Sequence, residues 1–266
     1  MNTDRPTTDA AHARAATTQE LRDAFLVEEL FAAGEARTLG TAEDDMLIAG
    51  IVPASGQLAL PAAASEGREF GIINIGGDGE VLVDGEAYAL GHRDGLYAGL
   101  GSTLSFRGAD ARFYVVAVPA DTRFPTAAIP FESTTGVAIG DEAGGGRRVL
   151  HKYVWGDGDI ASSQLQIGVT VLEPGSVWNT FPPHLHERRT EIYLYFELPD
   201  AARVVHLMGE PEHTRNLIVA NEQAVIAPRW SIHTGAGTAR YSFVWAMAGD
   251  NRDYGDLDPV SAQDLR

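Results

Sequence analysis

Pro182-Pro183-His184-Leu185-His186-Glu187-Arg188-Arg189-Thr190-Glu191 is the stretch around which the rest of this chain is organised. Side chains alternate along an extended strand, so His184 and His186, two residues apart, face the same way with their imidazoles close together. The paired prolines oppose a helix, and Thr190 stands where an H-E-x-x-H zinc helix would need its second histidine, which excludes that kind of site. Glu187 to Thr190 is a polar run able to turn the chain, and Glu191-Ile192-Tyr193-Leu194-Tyr195-Phe196 alternates as a second strand. The turn returns Glu191 to the side of the two histidines. Three such donors leave a divalent metal short of at least one ligand, and His233, in Arg229-Trp230-Ser231-Ile232-His233-Thr234-Gly235, is the best remaining candidate. The expected ligands are therefore His184, His186, Glu191 and His233. Singly, these pieces have plainer readings: a hydrogen-bonded histidine pair on a polar wall, or a glutamate ion-paired with Arg188 or Arg189. Their conjunction points to a metal, and a tetrahedral His/carboxylate set favours zinc, about one ion per chain.

The remaining composition narrows the chemistry. The 266 residues are 44% hydrophobic and 21% charged, which suits one large domain or two similar halves with a sizeable core. No apolar run is long enough to cross a bilayer, so no membrane insertion is expected. Residues 1–16 are polar and Ala/Thr-rich without a hydrophobic segment, which reads as a loose tail of a cytoplasmic protein and not as a secretory signal. With no cysteine there are no disulfides, thiolate nucleophiles or thiolate ligands. A formal net charge of −17 repels phosphate backbones, so nucleic acid is not an expected partner and small molecules are. Lys152 is the only lysine, which leaves a Schiff-base mechanism one side chain to run through. Gly76-Gly77 and Gly144-Gly145-Gly146 lack the strand-to-helix setting of a dinucleotide site.

Thr17-Thr18-Gln19-Glu20 has capping-box spacing and is followed by Leu21, Phe25, Leu26 and Leu30, predicting one helix over residues 18–31. Beyond it come short apolar or alternating runs at 46–52, 70–75, 80–83, 86–90 and 113–118, with Asp84-Gly85 as a hairpin signal. After a Gly-rich connector at 141–146 the runs resume at 165–172, 191–198, 202–208, 217–219, 224–227 and 241–247. The segment from Gly95 to Leu104 lies over Ala224 to His233 without a gap, setting Leu104 opposite His233. His92 stands alone near a turn, where a surface or hydrogen-bonded role is the default. These observations predict an all-β chain of two jelly-roll barrels or a double sandwich from a diverged repeat: residues 1–140, with the N-terminal helix and no metal, and residues 141–266, with the metal.

Gly175, His184-x-His186, Glu191, Pro228 and His233 resemble the two motifs of the cupin superfamily. More specifically, His-x-His-Glu-Arg-Arg, Glu-x-Tyr-x-Tyr-Phe, Met208-Gly209, residues 221–226, Trp230-Ser231-Ile232-His233 and the closing Asp264-Leu265-Arg266 resemble the bacterial 4-deoxy-L-threo-5-hexosulose-uronate ketol-isomerase family. Residues 25–28, 71–77 and 91–94 extend the likeness over nearly the whole chain. The resemblance implies zinc on His184, His186, Glu191 and His233, an intramolecular oxidoreductase acting on a pectin-derived uronate, and a homohexamer.

That chemistry suits the residues. Moving a carbonyl between C1 and C2 needs removal of a proton beside a carbonyl, which an open metal position assists by stabilising the enediolate. Arg188 and Arg189 are candidates for a local positive patch. No proton-transfer base is assigned: Glu197 lies about 20 Å along the strand from Glu191 at ~3.3 Å per residue, and Tyr193 and His206 are nearer possibilities with equally good structural roles. Three further readings share the motifs: a 5-deoxyglucuronate isomerase, a metal-dependent dioxygenase and a non-catalytic sugar-acid binder.

Overall fold

The computed structural model describes residues 5–250 and 253–266. Two short helices, α1 (Ala10–Ala15) and α2 (Thr18–Phe25), precede twenty-two strands among the described residues. These are β1 (Leu26–Val27), β2 (Glu35–Gly40), β3 (Leu47–Val52), β4 (Gln57–Ala59), β5 (Arg68–Asn74), β6 (Gly79–Val83), β7 (Glu86–Leu90), β8 (Gly95–Ala98), β9 (Leu104–Arg107), β10 (Phe113–Pro119), β11 (Ala127–Ile129), β12 (Gly136–Ile139), β13 (Arg148–Val154), β14 (Gln166–Leu172), β15 (Trp178–Leu185), β16 (Arg189–Phe196), β17 (Val204–Glu210), β18 (His213–Val219), β19 (Ala224–Ala227), β20 (His233–Gly237), β21 (Ser242–Gly249) and β22 (Asp258–Pro259). The fold is all-β, as the short punctuated runs predict, and cupin-like, as the motif resemblance implies.

The chain divides into two compact units, and not at a single cut after residue 140. One unit is built on Glu29–Thr135 and Lys152–Ile167; the other on Pro6–Glu28, Gly136–His151 and Gly168–Arg266. The first has a six-stranded sheet, β11-β8-β5-β10-β3-β2, and a four-stranded sheet, β4-β9-β6-β7. Its core holds Leu60, Phe70, Val81, Leu96, Leu104, Phe106 and Phe113. Residues 163–165 join this unit through Glu69, a fully buried carboxylate. It accepts hydrogen bonds from Tyr97 Oη (2.6 Å) and the backbone N–H groups of Ser163, Gln164 and Leu165 (2.7–2.9 Å). The hairpin predicted at Asp84-Gly85 is present: β6 and β7 pair through Val83 and Glu86, and both turn residues have positive φ, 52° and 88°.

The second unit has a seven-stranded sheet, β1-β19-β16-β21-β14-β13-β12, and a five-stranded sheet, β18-β17-β20-β15-β22. Its core takes in Leu21, Phe25 and Leu26 beside Tyr193, Leu217, Val225 and Phe243, which is why the N-terminal segment belongs here. Burying a side chain such as Phe25 contributes about 1.5–3 kcal/mol. The capping box is formed, with Thr17 Oγ1 accepting from Glu20 N and Glu20 Oε2 accepting from Thr17 N. The helix nevertheless stops at Phe25 and does not run to residue 31, because Leu26 and Val27 add to the sheet edge opposite Val225 and Ala224. Residues 5–16 are likewise no loose tail. Asp9 caps α1 at His12 N, and Arg215 donates to the carbonyls of Ala13, Arg14 and Ala16 at 2.6–2.9 Å. The expectation for Met1 to Asp4 lies outside the described residues. No helix among the described residues is long and apolar enough to cross a membrane.

Candidate metal centre

The local fold explains how the donors converge. β15 and β20 pair at Trp178–Ala236 and Asn179–Gly235, then again at His184–His233, so β15 advances five residues while β20 recedes two. This bulge carries Thr180, at φ 43°, and sets His184 directly across from His233. The chain then turns through residues 186–188 into β16, sooner than the polar run suggests, since Arg189 and Thr190 already belong to the strand. Glu191 follows, paired with Ala227 and Met247 in the middle of its sheet.

The four predicted ligands meet. His184 Nε2 lies 3.2 Å from His186 Nε2 and 3.1 Å from His233 Nε2, and Glu191 Oε2 lies 3.0 Å from His186 Nε2 and 2.9 Å from His233 Nε2. One donor atom from each residue fits within 4.8 Å of all the others. Three of the residues are buried and His184 is nearly so. Burial, and then its imidazole neighbours, pushes His184 down to about 2. Burial lowers His186 against an upward pull from Glu191. For Glu191 burial works to raise the carboxyl pKa, but His233 and His186 outweigh it and hold it well below the usual range. At neutral pH the cluster therefore holds the Glu191 carboxylate, with His184 and His186 uncharged.

Such a set cannot satisfy itself with protons. If the Nε2–H groups of His186 and His233 donate to Glu191, the nitrogen of His184 faces two nitrogens with nothing between them. A cation satisfies all four lone pairs, and the four donor contacts of 2.9–3.2 Å are of the order of the ~3.3 Å between two ligands of one ion with ~2.05 Å bonds. Of the outer atoms, His186 Nδ1 is 3.2 Å from the Asp256 carbonyl oxygen and 3.3 Å from Arg189 Nε and Nη2, while the buried His233 Nδ1 has no hydrogen-bond partner among the described residues. The donors present therefore fit a divalent ion.

The cluster lines a cavity of about 230 Å³ in the second unit. Its apolar wall includes Leu150, Phe243, Trp245, Met247 and Leu257, and its polar groups include Arg148, Thr180, Arg189 and Tyr193. Of the two turn arginines, Arg188 is exposed and donates to Asp256 at 2.6 Å. Arg189 is buried and fastens residues 253–256 by donating to the carbonyls of Asp253, Tyr254 and Asp256. Tyr193 Oη is 2.9 Å from Thr180 Oγ1, and burial, then Glu191, raises its pKa well above the usual value. His206 is fully buried, with Nδ1 2.7 Å from Tyr195 Oη, and does not line the cavity. Glu197 accepts a hydrogen bond from Ser242. His92 is exposed with Nδ1 3.1 Å from the Gly76 carbonyl oxygen, the ordinary role expected of it. Sequence reasoning missed Arg148, the first residue of a strand left unassigned, and it missed the 253–256 segment, which acts through backbone carbonyls that carry no sequence signal.

The sequence profile of the KduI/IolB family matches residues 53–258. The chain belongs to this family. Over 264 residues it is 48% identical to the 4-deoxy-L-threo-5-hexosulose-uronate ketol-isomerase of Kineococcus radiotolerans, covering 94% of each chain. It is 42% identical to the protein of that name from Escherichia coli strain SE11, covering 98% of this chain and 99% of the other. Among solved structures it resembles an IolB-like protein of Salmonella typhimurium LT2, with a TM-score of 0.73 at 15% identity over 89% of this chain and 96% of that one. It also resembles an oxalate decarboxylase, with a TM-score of 0.59 at 11% identity over 88% and 79%. The structural likenesses establish the cupin-like fold. The sequence relatives establish an enzyme of the ketol-isomerase class, an intramolecular oxidoreductase.

Proposed function

We propose that the protein is a zinc-dependent aldose–ketose isomerase that converts 5-dehydro-4-deoxy-D-glucuronate to 3-deoxy-D-glycero-2,5-hexodiulosonate, in the cytoplasmic breakdown of pectin-derived uronates, as a homohexamer. The observation that carries this reading is the convergence of His184, His186, Glu191 and His233 on one point beside a partly open cavity, in a chain whose relatives carry that activity in their names. A divalent ion held by these four residues would supply Lewis-acid polarisation of a carbonyl oxygen.

The chain's own groups complete the setting. The reaction moves one hydrogen from C2 to C1 and one proton from O2 to O1, so it consumes no oxidant or reductant. Phe243, Trp245, Met247 and Leu257 keep water from the reacting carbons. Tyr193, whose raised pKa keeps the phenol protonated, suits donation to a developing oxyanion and not proton abstraction, and Thr180 Oγ1 orients it. His206 sits outside the cavity and suits a structural role behind Tyr195.

The test is incubation of the purified protein with the 4-deoxy-5-ketouronate, following the C1 aldehyde by NMR in deuterated water. Loss of that signal without added NAD or oxygen, abolished by a chelator and restored by zinc, supports the assignment. No turnover here with brisk turnover of 5-deoxyglucuronate would move it to the other branch of the family name, and oxygen uptake would move it to the dioxygenases.

A further inference from the structure

Arg148 is the one buried cation of the cavity that the site as described does not use. The side chain is 9% exposed and lines the cavity together with the ligand cluster. Its single hydrogen bond among the described residues runs from Nη1 to the Gly146 carbonyl oxygen at 2.8 Å, and no carboxylate among them pairs with it. Burial works against its charge, and what pulls the other way is the phenols of Tyr193, Tyr241 and Tyr254 and not a carboxylate. Arg189, also buried and lining the cavity, differs in that its donors are already committed to three carbonyls and to His186 Nδ1. A guanidinium left in a cavity without an anion is costly unless the anion arrives with the ligand. Its planar fork matches a carboxylate bidentately.

The backbone holds Arg148 in place. It opens β13 directly opposite Ile139 of β12, and the bond to Gly146 fixes one arm of the fork at the end of the Gly-rich connector. A Cβ at Gly140 would come 3.3 Å from Nη1 and 2.3 Å from the Gly146 carbonyl oxygen, so this connector must stay bare for the arginine to keep its position. Against a chain of formal charge −17, a metal-loaded cluster, Arg189 and Arg148 give one positive site lining a single cavity. Its volume of about 230 Å³ is below the ~300 Å³ lower end for drug-sized ligands and suits a small acyclic molecule.

We propose that Arg148 is the carboxylate anchor of this site and sets its preference for sugar acids over neutral sugars. This rests on the isomerase reading above and assigns the end of the substrate remote from C1 and C2: the C6 carboxylate sits on the Arg148 guanidinium, which leaves the reacting carbons for the metal cluster and Tyr193.

The probes are D-gluconate and D-glucitol, six-carbon acyclic polyols that differ by the carboxylate and carry no carbonyl to isomerise. Calorimetry on the zinc-loaded wild-type protein should show gluconate bound and glucitol bound at least about 30-fold more weakly, the scale of one lost charge-assisted pair. Arg148→Met should erase that preference and raise KM for the ketouronate by a similar factor, with metal content unchanged; Arg148→Lys should keep part of both. Equal affinity for the two probes in the wild type, or an unchanged preference in a folded, metal-replete Arg148→Met, overturns the anchor. Should Arg148→Met not fold, the wild-type contrast and Arg148→Lys still decide it. Wild-type protein that prefers gluconate but leaves the ketouronate unchanged would overturn the substrate assignment and leave the anchor standing.

Discussion

The same place in the two units holds opposite chemistry. β8 and β19 are the equivalent strands Gly95–Ala98 and Ala224–Ala227, and β9 and β20 begin at the aligned residues Leu104 and His233. Glu191 pairs with Ala227, and Phe70 pairs with the equivalent Ala98, so Phe70 occupies the place of Glu191. His184 pairs with His233, and Leu60 donates its N–H to the Leu104 carbonyl, so Leu60 occupies the place of His184. Leu60, Phe70 and Leu104 are buried in one hydrophobic cluster. Where one unit assembles donors that need a cation, the other fills the space with carbon, each such side chain contributing about 1.5–3 kcal/mol. One strand frame thus supports both outcomes, and at three of the four donor positions the first unit carries a carbon side chain instead.

The largest effect expected from breaking this contrast is on catalysis. His186→Ala should lose the metal and about 10³-fold or more in turnover, the several kcal/mol a Lewis acid supplies, while circular dichroism shows the sheet content intact; retained metal and activity would contradict the four-ligand site. Next comes the converse change in the other unit. Phe70→Glu buries a carboxylate without partners and should lower stability in urea by about 3–5 kcal/mol, whereas Phe70→Leu should cost under about 1.5 kcal/mol. Similar midpoints for the two variants would show that the site tolerates charge.

A smaller effect separates the units by pH. His206 is held down to about 3 by burial and then by His233, so the folded protein leaves it neutral while the unfolded chain protonates it near its ordinary value. Its pKa is depressed on folding, so the unfolded state binds the extra proton and stability is lost as pH falls from about 6.5 toward 3. Metal-free protein should lose about 1.4 kcal/mol per pH unit from this residue in that window, and His206→Gln should flatten the slope measured by thermal unfolding. An unchanged slope would exclude His206 as a source. The smallest change is expected from copying the first unit's solution into the second. His184→Leu, Glu191→Phe and His233→Leu together should give an inactive protein that binds no metal yet is at least as stable as metal-free wild type, since apolar replacement of buried charge is often neutral or stabilising by about 1–4 kcal/mol. A large loss of stability would mean that the polar cluster itself supports the fold.

What could be read in advance follows from the range of the interactions involved. Alternation and turn chemistry are local, so β7 and β19 have the predicted bounds and the Asp84-Gly85 hairpin closes as expected. The clustering of the four donors was legible because two lie two residues apart, a third follows across one turn, and His233 was the best remaining candidate for a fourth. The end of α2 was not legible, because Leu26 and Val27 answer to a strand two hundred residues away and not to helix propensity. Nor was α1, which is held by Arg215. Arg148 gave no periodic or motif signal, since its role comes from a cavity that only the assembled sheet creates.

The pairing of β1 with β19 carries a consequence for how the protein is made. Leu26 is synthesised 199 positions before its partner Val225. At ~5–20 residues per second the segment waits about 10–40 s for the strand it completes. Until then Leu21, Phe25 and Leu26 are an exposed apolar leader on a growing chain, and the first unit, whose main segment ends at Thr135, has most of its strands in hand long before. Nascent chains halted shortly before residue 224 should therefore be the form of this protein most dependent on chaperones.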